Sequence, residues 1–96
     1  MADTDRIPVP APNVICRLTD DGAVLVSPEA GDLRVLNAVG ATIWQMLDGQ
    51  RTLGELEAEM AHRYQIPAGR AQADLARFLD DLEGRGLLSW IDPAPH

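Results

Sequence analysis

The chain is short of several things, and each shortage closes off a class of function. It has one cysteine in 96 residues, Cys16, so no internal disulfide and no cysteine-rich zinc site is open to it. It has no lysine, and its eight basic residues are all arginine. Against them stand 15 acidic residues, for a net charge of −7. Such a surface repels phosphate backbones, which argues against nucleic acid and anionic membrane as partners. No apolar run approaches the ~20 residues that span a bilayer, and Met1 to Asp5 lack the basic and apolar regions of a signal peptide. A cytoplasmic protein is expected.

What is present suits one small domain. The hydrophobic fraction is 46%, enough for a single core. A chain of this length buries only about 60–65% of its unfolded surface, which leaves no room for a large enclosed active site. Pro8, Pro10 and Pro12 remove amide donors from residues 1–12, which read as an extended, weakly ordered arm. Residues 92–96 read as a short tail, and residues 13–91 as the folded domain, without internal repeats.

Within that domain the pattern changes once. Residues 14–18, 23–26 and 32–36 have strand character and are separated by turn signals, Asp21-Gly22 and Pro28 to Gly31. Asp32-Leu33-Arg34-Val35-Leu36 alternates, with Leu33 and Val35 on one face and Asp32 and Arg34 on the other. The apolar pair is expected to rest on the core while Asp32 and Arg34 flank the edge. Helices are expected over residues 38–48, 53–65 and 69–84. Asn37 is the predicted N-cap of the first, and Gly49 closes it. Thr52 and Glu55 form a capping box for the second. The third carries Ala71, Leu75, Phe78, Leu79 and Leu82 on a stripe within ~100°. A sheet with one apolar face and helices with one apolar stripe each must share a core. The expected fold is therefore α+β and winged-helix-like, a three-stranded antiparallel sheet followed by a three-helix bundle.

The search for chemistry finds little. Cys16 lies in a strand and reads as a small core residue. His62 reads as a solvated helix residue, and His96 as tail. Glu55, Glu57 and Glu59 do not share a helix face, and no glycine-rich loop opens a helix in phosphate-binding spacing. Trp44 and Trp90 read as core. An acyl carrier would need a serine at a helix start, whereas Ser27 precedes a proline and Ser89 follows the last helix. No catalysis, metal or cofactor is expected. A winged-helix transcription regulator fits the topology, but its recognition helix would carry Arg70, Arg77 and Arg85 against Asp74, Asp80, Asp81 and Glu83. That surplus of negative charge opposes binding to phosphates. The other reading is capture of a peptide strand on an exposed sheet edge, with the third helix as the wall.

The run Leu36-Asn37-Ala38-Val39-Gly40-Ala41-Thr42-Ile43-Trp44, then Leu47-Asp48-Gly49, Arg51-Thr52-Leu53, Asp74-Leu75, Phe78-Leu79, Leu82 and Gly86-Leu87-Leu88 resembles the PqqD family. The likeness spans residues 13–91. It implies a peptide chaperone, also called a precursor-peptide recognition element. Such a protein binds the leader of a ribosomally made precursor and presents it to a modifying enzyme, either a radical S-adenosylmethionine protein or a leader protease. Pyrroloquinoline quinone synthesis is one such pathway. By that resemblance the leader adds as a strand at Asp32, Leu33, Arg34, Val35 and Leu36. Asp74, Leu75, Phe78, Asp81 and Leu82 form the helical wall. Any iron–sulfur cluster belongs to the partner enzyme. The acidic rim, Asp74 and Asp81, suggests a leader bearing Arg or Lys, and the arm and hairpin leave a homodimer by strand exchange open.

Overall fold

The computed structural model describes residues 5–29 and 31–92 of the chain. The elements run β1 (Ile7–Pro10), β2 (Ile15–Thr19), β3 (Gly22–Ser27), β4 (Asp32–Asn37), α1 (Ala38–Gln45), α2 (Leu53–Tyr64), α3 (Ala68–Gly84) and β5 (Leu88–Ile91).

 Three antiparallel strands, in the order β2-β3-β4, make the main sheet. Their register pairs Cys16 with Leu25 and Leu25 with Arg34. One face of this sheet meets the helices. Ala23, Leu25 and Leu36 from the strands join Ile43 and Trp44 of α1, Leu56 and Met60 of α2, and Leu75, Leu79 and Leu82 of α3 in one buried cluster. Leu25, Leu56, Leu75, Leu79 and Leu82 are each fully buried, and each such side chain contributes about 1.5–3 kcal/mol relative to exposure.

Local chemistry explains the helix boundaries. The Asn37 side chain accepts from the Gly40 amide at 2.8 Å and opens α1. Thr52 and Glu55 form the reciprocal capping box at the start of α2. Gln65, in the left-handed region at φ 53°, ends that helix. α1 stops earlier than the sequence pattern suggests. Its C-cap is Met46, and Gly49 instead serves the following turn at φ 79°, where Asp48 accepts from the amides of Gln50 and Arg51.

Two further expectations need correction. The Asp21-Gly22 turn does not use positive φ at its glycine. Gly22 already belongs to β3 opposite Asn37, and a Cβ there would collide with the carbonyl of Leu36. Glycine is needed for the close approach of β4. The proline-spaced arm, in turn, contains a strand. β1 pairs with β5 in a separate two-stranded ribbon, Ile7 opposite Ile91 and Pro10 opposite Leu88. Pro8 and Pro10 are two residues apart, so their missing N–H groups fall on one side of the strand, and the other side keeps its donors. The Ala11 amide donates to the Leu87 carbonyl at 2.9 Å, and the Leu53 amide to the Arg6 carbonyl at 2.8 Å, fastening both ends of β1. Trp90 of β5 is half-buried beneath Arg6, whose guanidinium lies 4.7 Å from the ring centroid. The predicted tail, including His96, lies outside the described residues apart from Asp92.

Candidate functional site

The main sheet has two edges, and β4 forms the one that α3 accompanies. Among the described residues β4 pairs with β3 alone. The Leu36 carbonyl lies over Gly22, on the β3 side. Alternation along a strand therefore turns the N–H and C=O of Val35 outward, to the edge. The Val35 carbonyl is met there by Arg34 Nη1, which donates to it at 3.0 Å.

α3 runs antiparallel to β4. Arg34 Nε donates to Asp81 Oδ2 at 2.7 Å, while a Cβ on Gly40 would lie 3.1 Å from Phe78 Cε1. Any larger residue at position 40 would force the Phe78 ring to move. Between these two crossings lies an open hollow of about 580 Å³, lined by Thr19, Asp21, Arg34, Val35, Leu36, Asn37 and Phe78. Beyond Phe78 and Asn37, which border both spaces, a second cavity of about 410 Å³ opens among α1, α2 and α3. Val39, Ile43, Met60, Tyr64 and Ile66 make it apolar, with Arg70 and Asp74 also lining it. The two spaces, together the groove, adjoin at Asn37 and Phe78, with an exposed strand edge beside the first and a largely apolar lining in the second, the socket.

The charged lip of this groove is already paired. Asp81 accepts from Arg34 and also from Arg85, at 3.2 and 3.3 Å. These guanidiniums, Arg34 foremost, hold the Asp81 carboxyl below its ordinary pKa. Asp74 meets Arg77 at 2.7 Å and Arg70 at 3.6 Å. The carboxylates that suggest a basic ligand are thus each shared between two arginines.

Of the residues expected to form the site, Arg34, Val35, Asp74, Phe78 and Asp81 border the groove or its lip. Others do not. Leu75 and Leu82 are fully buried and Leu36 is 4% exposed, so these three serve chiefly the core, although Leu36 also borders the hollow. Leu33 and Val35 are exposed at 57% and 61%. They lie on the outer face, opposite Val26 and Val24, and Arg34 is the residue turned inward toward α3. The expected arrangement of this strand is therefore reversed. Asp32 opens β4, and its side chain lies outside the described ones. The socket residues Val39, Ile43, Met60, Tyr64, Ile66 and Arg70 were not singled out from sequence as ligand contacts, because apolar residues at helical spacing read as core.

Among the described residues, no group of three or more His, Cys, Asp or Glu is placed to hold a metal ion. Burial raises the Cys16 pKa, which disfavours the nucleophilic thiolate. No described helix is long and apolar enough to cross a membrane.

Known proteins share this architecture. The structure titled as TbiB1 in complex with the TbiA(β) leader peptide superposes with a TM-score of 0.77 and 27% identity, over 84% of this chain and 94% of that one. The PqqD truncation of Methylobacterium extorquens PqqCD, described as a functional, stand-alone recognition element for ribosomally synthesised and post-translationally modified peptides, gives a TM-score of 0.75. Its identity is 20%, over 93% of this chain and 94% of that one. No curated protein matches the chain. The family model for coenzyme PQQ synthesis protein D (PqqD) matches residues 22–88, a span that runs from β3 to the start of β5. The chain belongs to the PqqD family.

Proposed function

We propose that this protein is a non-catalytic peptide chaperone that binds the leader of a ribosomally synthesised precursor and presents it to a modifying enzyme. The observation that carries this reading is the outward-facing edge of β4 beside the groove under α3. An extended leader adds to β4 as a fourth strand. Main-chain bonds to Val35 supply affinity, and the socket beyond Phe78 takes an apolar side chain that fixes the register. The leader complex of TbiB1 supports the same use of a related fold. The modifying enzyme is a radical S-adenosylmethionine protein or a leader protease, and it supplies the chemistry. One added strand buries a small area, which suits an affinity of roughly micromolar to high-nanomolar.

Titration of the isotopically labelled protein with the synthetic leader of the nearest encoded short peptide tests this directly. Backbone amide shifts are expected in residues 32–37 and along α3 from 74 to 81, with little change in β1 and β5. Shifts confined to the β1·β5 ribbon would overturn the assignment of the groove.

A further inference from the structure

The guanidinium of Arg34 occupies a position that an arriving strand must use. Its Nη1 donates to the Val35 carbonyl, an acceptor on the outward edge of β4. Its Nε donates to Asp81, across the groove on α3. The side chain thus covers the edge from within. A peptide N–H that approaches the Val35 carbonyl from the edge competes with Nη1 for that oxygen, and a guanidinium has five donors to satisfy. Asp81, its present partner across the groove, is shared with Arg85, whose Nε donates to both carboxylate oxygens.

We propose that Arg34 determines specificity in the β4–α3 groove, and that the groove favours a peptide strand carrying an Asp or Glu side chain opposite it. The proposal rests on the reading of this groove as a strand-capture site. A carboxylate meets the displaced guanidinium with two parallel hydrogen bonds, which a neutral amide cannot match. The charge around the groove points the same way. Arg34, Arg70, Arg77 and Arg85 outnumber Asp74 and Asp81 along the lip, in a chain whose net charge is −7. Among the described side chains, Asp21 at the opposite end of the hollow still leaves four guanidiniums against three carboxylates. Acidic residues more than about 8 Å from the groove act weakly on it, because charges at that range are largely screened at physiological ionic strength.

A phage-displayed library of random dodecapeptides, panned on the full chain, tests the idea without knowledge of the natural leader. Selected peptides that shift the β4 amides are expected to carry Asp or Glu at one fixed position. Replacing that residue by Gln or Asn should weaken binding at least tenfold to the wild-type protein and less than twofold to Arg34→Gln. Asp81→Asn supplies a second readout. It removes the competing carboxylate, so acidic peptides should bind it at least threefold more tightly while their neutral counterparts change little. Peptides that bind β4 with no acidic preference would overturn the proposal and leave strand capture standing. So would an acidic preference that survives in a folded Arg34→Gln protein. Failure of every selected peptide to shift β4 would overturn both.

Discussion

β1 and β4 are both edge strands, and they manage an exposed edge in opposite ways. β1 gives up donors outright, because Pro8 and Pro10 have no N–H. β4 keeps its outward donors and acceptors and places the Arg34 guanidinium over the Val35 carbonyl. An unprotected edge invites association with other chains. Proline prevents it permanently, whereas an arginine held by an ion pair can be displaced. On the proposed function, β4 is the edge that takes a partner, and β1 is one that closes the fold.

The largest expected effect comes from making β4 resemble β1. Val35→Pro removes an outward donor without touching the ladder to β3. Leader affinity should fall at least a hundredfold, about 2.7 kcal/mol, in a protein whose circular dichroism is unchanged; calorimetric titration measures it. Phe78→Ala strips the ring that borders both spaces of the groove. A roughly tenfold loss of leader affinity is expected, about 1.4 kcal/mol, with a smaller loss of stability in urea unfolding. The converse change, Pro8→Thr with Pro10→Thr, returns donors to β1. Sedimentation should then show more self-association, with leader affinity altered less than twofold.

The smallest effect concerns pH. The Asp81 carboxyl is held below its ordinary pKa by Arg34 and Arg85. Its contribution to stability is therefore complete above the ordinary carboxylate pKa of about 3.9 and is lost as pH falls through the lower folded value. The pair is partly exposed, so about 0.2–1 kcal/mol is expected. Urea unfolding of Asp81→Asn should approach that of the wild type as pH falls through this window.

The sequence was most informative where structure is set within a few residues. Asn37 and the Thr52–Glu55 box announce their helices because each cap bond spans three residues. The three strands of the main sheet follow from alternation and turns. Alternation carries a period but not a phase, however, which is why Leu33 and Val35 were placed on the wrong face. The proline-spaced strand β1 was missed because its pairing partner lies at the other end of the chain. The Arg34–Asp81 bond joins residues 47 positions apart, and no local pattern announces it. Likewise Leu75 and Leu82 share a stripe with Phe78, and only packing shows that Phe78 alone of the three borders the groove.

The pairing of Ile7 with Ile91 has a consequence for how the domain can be joined to others. The polypeptide enters and leaves at neighbouring points, about 5 Å apart across a strand pair. The unit could thus be spliced into a surface loop of an enzyme, or circularly permuted through a short linker, without altering the groove.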